Sequence, residues 1–341
     1  MVKIAKIYLR ILIAAVCLWQ VPYFYNFMTA EQESVPFTLY SSLAKDFVSR
    51  GIVEGKTLFW RSDGEPVGRD EYDSLLPEYF ARQLASDDRL PDSILSKPVN
   101  LKYLTDENIS FKIKPEYVYG PKIPLYQLLE SEPGRVDFEP SPDVFRITDK
   151  RIEFINKRSN QINKEKTAKF TIAFKTADFE FPALNVAGNP SVKKKYDNGY
   201  LISDSKGRLY NFKMVKGRPY IRRIDLPLGV TPEHCFVTEF SGRHHLGMFF
   251  DRKDCLYVIT SDDYRILKVG IPPVDLHDSE VFIMGSVFTW TIRVKNEDST
   301  CWYAVDSRSY KLLKKHIEKN ENKAVRGLSF EKNGWIDLGW R

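Results

Sequence analysis

The run Cys255-Leu256-Tyr257-Val258-Ile259-Thr260-Ser261-Asp262-Asp263-Tyr264-Arg265-Ile266-Leu267-Lys268 aligns without gaps on Cys301-Trp302-Tyr303-Ala304-Val305-Asp306-Ser307-Arg308-Ser309-Tyr310-Lys311-Leu312-Leu313-Lys314, at an offset of 46. Ile271 then meets Ile317. An earlier copy stands at an offset of 47, where Asp204, Leu209 and Tyr210 match Asp251, Leu256 and Tyr257; a fainter one begins at Thr148-Asp149-Lys150-Arg151-Ile152. Each unit reads as a strand, a turn rich in Asp, Lys and Gly, a strand beginning Leu-Tyr, a polar turn, and a strand ending Leu-Lys. Repeats of about 40–50 residues with several strands each are typical of propeller blades. The physical reason is that one small sheet cannot bury both faces, whereas neighbouring sheets packed radially can. The repeat predicts a mainly β chain whose repeat-built domain is propeller-like, with a β-sandwich of hairpins as the alternative. Tyr257 and Tyr303 are expected at equivalent positions of successive sheets, as are Tyr264 and Tyr310. Three or four units are few for a closed ring, so an early segment or the Leu328 to Trp340 tail is expected to complete it.

Composition narrows the function classes. The 341 residues carry 51 Lys and Arg against 45 Asp and Glu. Lys3, Lys6 and Arg10 precede the first acidic residue, Glu31, so the remainder holds a nearly neutral 48 against 45. That balance gives no support for nucleic-acid binding. The 18 Tyr, 22 Phe and 6 Trp favour strands. Of four cysteines, Cys17 lies in an apolar run, leaving Cys235, Cys255 and Cys301, which allow one disulfide at most.

That apolar run, Ile11 to Ala30, has only Gln20, Asn26 and Thr29 clearly polar, and as a helix it matches the roughly 30 Å hydrocarbon layer of a bilayer. Basic residues before it, and Glu31 and Glu33 after it, predict a single-pass anchor of the inner cell membrane, N-terminus inside, with the bulk of the chain periplasmic. Trp19, Tyr23, Phe24, Tyr25 and Phe27 cluster at the far end, where rings prefer the headgroup layer. A cleaved signal peptide, cut after Ala30 with Met28 at the minus-three position, and a buried helix of a soluble protein are the competing readings. The domain plan is a basic cytoplasmic segment at 1–10, the transmembrane anchor at 11–30, a membrane-proximal mixed α/β region with short helices at 31–99, and the β-rich repeat domain at 100–341.

Within 31–99 a weak helical pattern runs from Ser41 to Val48 through Leu43, Phe47 and Val48. Thr57 to Trp60 reads as a strand leading into the Asp63-Gly64 turn. Arg69 to Ala85 is the best helical passage, capped by Asp70 and divided at Pro77, with Tyr72, Leu75, Leu76, Tyr79, Phe80 and Leu84 on one face. Lys157 to Lys169 and Lys193 to Lys195 read as solvated loops, and Val281 to Ile292 as one buried strand.

Catalytic strings are missing: no phosphate-cradling glycine loop, HExxH, GxSxG or Cys-x-x-Cys stands in the chain. The five histidines are the only place to look for a metal. His234, His244, His245 and His277 lack converging ligand spacing, and adjacent His244 and His245 on a strand point to opposite faces. Cys255 and Cys301, equivalent in the repeat, read as a recurring packing position. Asp87-Asp88 and Asp262-Asp263 read as solvated turns, and the aromatic-basic stretch Leu209 to Arg223, with Arg222-Arg223, as strand with one buried and one wet face, a binding surface being the alternative. Asn108-Ile109-Ser110 is a sequon that matters only in a eukaryotic secretory setting, and Asp92-Ser93-Ile94 is a short O-glycosylation-like pattern. The expectation is therefore no catalytic, cofactor-binding or metal residue, no cofactor and no nucleic-acid partner.

The passages Leu58-Phe59-Trp60-Arg61-Ser62-Asp63-Gly64, Glu71-Tyr72-Asp73-Ser74-Leu75-Leu76-Pro77, Gln83-Leu84, Leu90-Pro91-Asp92-Ser93 and Leu201-Ile202-Ser203-Asp204-Ser205-Lys206-Gly207-Arg208-Leu209-Tyr210 resemble a family of uncharacterised Bacteroidetes proteins that begin with one membrane segment. The family has no activity to carry over. The resemblance implies a periplasm-facing inner-membrane protein beside ABC-type transporter components. The functional expectation is thus an anchored binding or accessory protein of a transport system. Its partners are the lipid bilayer, through Ile11 to Ala30, and a membrane protein. An envelope ligand or glycan sensor, and an enzyme with residues scattered over loops, are the alternatives.

Overall fold

A helix, α1 (Val2–Thr29), opens the chain in the computed structural model, which describes residues 2–29, 35–53, 55–320, 329–330 and 336–337. The side chains described on it, from Lys3 to Leu18 with Gln20 and Val21, are all exposed. Among the described residues no helix is long and apolar enough to cross a membrane. The side chains of Trp19, Tyr23, Phe24, Tyr25 and Phe27, expected as the interfacial belt, lie outside the described residues.

Strands β1 (Phe37–Ser41), β2 (Asp46–Val53) and β3 (Lys56–Arg61) form an antiparallel sheet. The helical pattern expected from Ser41 to Val48 is therefore wrong. The cross-strand pairs Leu39–Val48 and Tyr40–Phe47 lie on opposite faces, as the two-residue period of a strand demands, and Leu43 is left exposed in the turn. After the turn at Gly64 (φ +86°) come α2 (Arg69–Leu75) and α3 (Pro77–Ser86), divided at Pro77. Gly68, not Asp70, occupies the N-cap position; Asp70 sits in the first turn, where a negative charge favours the helix dipole. Tyr72 and Leu76 are fully buried against Leu39 and Val48, with Tyr79, Phe80 and Met284 packed around them.

The chain then forms the hairpin β4 (Ser93–Ile94) and β5 (Lys97–Pro98), α4 (Leu101–Asp106), β6 (Ile109–Ile113), α5 (Pro115–Tyr119), the hairpin β7 (Asp143–Ile147) and β8 (Ile152–Asn156), and α6 (Lys164–Thr176). So the charge run from Lys157 to Lys169 is not loop throughout. Asn163 Oδ1 accepts the N–H of Lys166 to cap α6, and Thr167, Phe170 and Phe174 recur on its buried face. Three antiparallel meanders follow. The first is β9 (Asn185–Gly188), β10 (Tyr200–Ser203), β11 (Leu209–Val215) and β12 (Arg218–Ile224). The second is β13 (Pro232–Val237), β14 (His245–Asp251), β15 (Leu256–Thr260) and β16 (Ile266–Lys268). The third is β17 (Glu280–Gly285), β18 (Thr289–Lys295), β19 (Ser299–Asp306) and β20 (Leu312–Lys319), with β6 added beside β17. The single strand expected from Val281 to Ile292 is in fact two, turned at Ser286, whose Oγ accepts the N–H groups of Phe288 and Thr289. A last pair, β21 (Ser329–Phe330) and β22 (Ile336–Asp337), is described in the tail.

The repeat in the sequence is a repeat in the structure. Tyr210, Tyr257 and Tyr303 all lie in third strands, β11, β15 and β19. Each packs toward the preceding sheet, while Leu209, Leu256 and Trp302, one residue earlier, pack toward the following one. Tyr264 and Tyr310 both hold a left-handed backbone, φ 58° and 55°, and Gly217, 47 residues before Tyr264, holds φ 70°. At the faint first copy Ile152 and Phe154 face the β9–β12 sheet. Glu153, at the position where the other units place a tyrosine, instead takes Arg146 at 2.8 Å and Arg151 at 2.6 Å. The layers therefore follow in the order β7–β8 with α6, β9–β12, β13–β16, β17–β20 with β6, and β1–β3, more than the two layers of a sandwich. No closed propeller is found among the described residues; the early strand β6 joins the last sheet rather than completing a ring.

Lys193 to Lys195 is also not simply a wet loop. Lys194 Nζ binds Asp197, Glu239 at 2.8 Å and the Asn189 carbonyl at 2.7 Å, and the three charged side chains are only 4% exposed. This ties the β9–β10 connection to the end of β13. Removing one partner of a buried ionic cluster leaves the others uncompensated. Lys194→Ala is expected to cost on the order of 3–5 kcal/mol, whereas Lys195→Ala, exposed, should stay within about 0.5 kcal/mol. Denaturant unfolding of the full chain in detergent measures both, and equal effects would refute the assignment.

Candidate functional site

The inner edges of the sheets leave a cavity of about 760 Å³. β6 supplies Phe111 and Lys112 to its wall, β7 Val144, β9 its whole length, and β13 His234 to Val237. β6, β9 and β13 are edge strands, so each presents one unpaired side of its backbone. Gly188 is needed here because a Cβ would overlap the Tyr200 ring. Tyr200 OH donates to the Gln127 carbonyl at 2.6 Å, its ring meets Tyr126 edge-on at 6.0 Å, and Phe111 meets Phe236 at 5.8 Å. Burial raises the hydroxyl pKa of Tyr126 and Tyr200 above the ordinary tyrosine value, so both act as neutral groups. The arrangement suits an apolar or ring-bearing ligand, with Lys122 and Gln127 as polar handles at the wall.

At the mouth, Tyr119 joins two histidines. Its OH lies 3.0 Å from His234 Nε2, and its ring stacks on His277 with centroids 3.6 Å apart. Burial lowers the His234 pKa, which keeps the imidazole neutral near pH 7. Tyr117 and Leu125 line the cavity 60% and 47% exposed, and Ile123, next to the lining residue Lys122 in the chain, is 78% exposed. Sequence reading missed this segment because its apolar residues follow neither helical nor strand period. The only available signal was its bracketing by Pro115, Pro121 and Pro124.

A second cavity, about 520 Å³, separates the β13–β16 and β17–β20 sheets. His245 is half-buried there with Nε2 2.7 Å from Tyr310 OH and its ring 5.1 Å from Trp290, while His244 Nε2 lies 3.0 Å from Glu107 Oε1. Burial, with the neighbouring His244 second, pushes His245 down to about 4. The fifth histidine, His316, lies apart, 3.0 Å from Glu318. Among the described residues no group of three His, Cys, Asp or Glu side chains is placed to hold a metal. All four cysteines are free, and burial pushes the Cys235 thiol up to about 12. Asp263 is held by Thr260 and Arg265, and Arg222 stacks 4.2 Å over the Tyr264 ring. The sequon residue Asn108 is committed inward, donating to the Glu78 carbonyl at 2.9 Å. Glu78, an acid that no motif flagged, accepts from Ser42 at 3.0 Å through Oε1, while Oε2 is buried without a partner. Burial lifts its pKa to about 7.

A family model described as "Domain of unknown function (DUF4857)" matches residues 37–305. No curated protein matches the chain. Among solved structures, the WD40 domain of SCAP from fission yeast is similar at 9% identity and a TM-score of 0.32, over 85% of this chain and 75% of that one. Dihydro-heme d1 dehydrogenase NirN in complex with DHE is similar at 9% identity and a TM-score of 0.26, over 71% and 70%.

His245 and Glu78 oppose each other in pH dependence. His245 falls from 6.5 to about 4, so between those values the unfolded chain takes a proton that the fold refuses, and stability drops as pH falls. Glu78 rises from 4.5 to about 7, so over that window the fold takes a proton that the unfolded chain does not, and stability grows as pH falls. Each effect is on the order of 3 kcal/mol, and together they largely cancel. His245→Gln should therefore become more stable from pH 7 to 5, and Glu78→Gln less stable. Unfolding free energies across that range check this, and slopes of the same sign in both variants would rule it out.

Proposed function

The chain belongs to the DUF4857 family, and we propose that it is a membrane-anchored, extracytoplasmic binding protein serving as accessory subunit of an ABC-type transport system. The exposed apolar mouth of the larger cavity carries this reading. Tyr117, Ile123 and Leu125 leave apolar surface in water within nine residues of chain, and a partner that covers it recovers about 25 cal/mol per Å². The anchor reading rests on the uncharged run Ile11 to Ala30, which falls largely within α1. At about 1.5 Å per residue its 28 residues reach roughly 42 Å, and Ile4, Ile7, Leu9, Ile11, Leu12 and Ile13 are exposed around it. Lys3, Lys6 and Arg10 then stay inside and the sheets face the periplasm. The sheets are read as propeller-like, with the edge strands β6, β9 and β13 around the cavity. Its aromatic wall of Tyr126, Tyr200 and Phe236 favours one second reading, a sensor of ring-bearing envelope ligands such as glycans.

The full chain is expected to stay with membranes through a high-salt wash, and Ser34→Cys to be labelled from the periplasmic side. A mature N-terminus at Glu31 would reject the anchor. The double variant Tyr117→Ser, Ile123→Ser should lose its co-purifying membrane protein while melting at an unchanged temperature. Retention of that partner would remove the mouth from the interface.

A further inference from the structure

Where the N-terminal sheet meets the β17–β20 sheet, a third cleft of about 280 Å³ opens on the surface. Three cations line it: Lys45 from the β1–β2 turn, Lys97 from β5, and Arg308 from the β19–β20 turn. None of them forms an ion pair with a described residue. The one acid in the lining, Asp306, uses its Oδ1 to accept the N–H groups of Arg308 at 3.2 Å and Ser309 at 2.7 Å, which holds the turn. Lys97 is held over the Phe288 ring, 5.6 Å from its centroid. Three positive charges against one occupied carboxylate leave the cleft net positive.

A second observation points the same way. Thr289 alternates with Trp290 along β18, so it shares the face of Thr291, whose Oγ1 accepts the Tyr40 N–H at 2.9 Å across the seam. Thr289 is 4% exposed, lines the cleft, and its Oγ1 is buried without a hydrogen-bond partner. A buried hydroxyl lacking an acceptor is costly, and an oxygen ligand bearing negative charge removes that cost. We propose that this seam binds an oxyanion, a phosphate group carried on an apolar substituent. Thr289 donates to one oxygen, Lys45, Lys97 and Arg308 neutralise the charge, and the half-exposed Leu95 and Leu313 at the mouth take the substituent. The same chemistry comes from a phospholipid headgroup or from a free phosphate. β1 begins eight residues after α1 ends, within roughly 28 Å of chain at full extension, so a headgroup at the bilayer surface is within reach of an anchored protein. The site itself does not depend on the anchor or on the larger cavity.

Calorimetric titration of the full chain in neutral detergent, with inorganic phosphate and with dihexanoyl phosphatidic acid, tests this. Wild type should bind at least one of the two. Lys97→Ala and Arg308→Ala should each weaken binding about fivefold, and Thr289→Val about tenfold. Thr289→Val removes an unpartnered hydroxyl at constant volume, so its ligand-free melting temperature should not fall; the two surface variants keep the test open if it does. Phosphatidic acid binding at least tenfold tighter than phosphate assigns the lipid headgroup, and equal affinities assign the free phosphate. Absence of binding by both probes, or binding that all three variants leave unchanged, overturns the site.

Discussion

The antiparallel pairing of β6 with β17 is the constraint on which the sheets depend. Ile109 to Ile113 lies in register with Gly285 to Val281, across a chain separation on the order of 170 residues. Closing so long a loop costs little more than closing a short one, because the entropy grows only with the logarithm of length. The return comes from burial. Ile109 and Ile113 enter one apolar cluster with Met248, Phe250, Leu256 and Val258 of the neighbouring sheet. With both ends of that loop fixed, the β7–β8, β9–β12 and β13–β16 layers must stack inside it. Phe111 and Lys112, on the free edge of β6, then face β9 and β13 across the cavity.

What the sequence revealed follows from the same stacking. A residue in a third strand meets the sheet before it or the sheet after it according to parity, so each unit repeats the demand for Tyr preceded by its opposite-facing neighbour. That demand survives as Leu209-Tyr210, Leu256-Tyr257 and Trp302-Tyr303. Tyr264 and Tyr310 recur for a different reason: each turn, left-handed at this residue, sends the hydroxyl to a polar partner on the preceding sheet, Asn211 for the one and His245 for the other. Misread stretches share one cause, the ambiguity of short patterns. Phe47 and Val48 fit a helical face as well as they fit two sides of a strand. In α6 the lysines on the wet face concealed a buried stripe of Thr167, Phe170 and Phe174. Val281 to Ile292 looked continuous because Gly285 and Ser286 were its only break.

Buried polar groups were the least legible of all. Local sequence cannot announce that Lys194 is enclosed, since Asp197 lies nearby in sequence but Glu239 comes from another sheet. Glu78 and His245 are similar, each defined by elements far away in the chain: Ser42 from the β1–β2 turn for the one, Tyr310 and Trp290 for the other. Periodicity reports which face is dry, and charge patterns report which is wet. A charge drawn into the interior by a distant partner violates both, which is why such groups stand out only once the sheets are stacked.

The two ends of the stack are finished in unlike ways, and this difference gives the N-terminal region its place. At the β7–β8 end, Glu153 with Arg146 and Arg151 makes a polar outer face, as a terminal repeat requires. At the other end β19 presents Trp302 and Ala304, a face too apolar to meet water, and β1–β2 covers it with Tyr40 and Phe47. The opposite face of that cover is apolar in turn, and α2 and α3 close it through Tyr72 and Leu76. Strands β1 and β2 are thus the final layer of the stack. At the seam between β1 and β18 Tyr40 N–H donates to Thr291, and beside it Lys314 of β20 meets Asp46 of β2. The β1–β3 sheet and the last repeat therefore share one core.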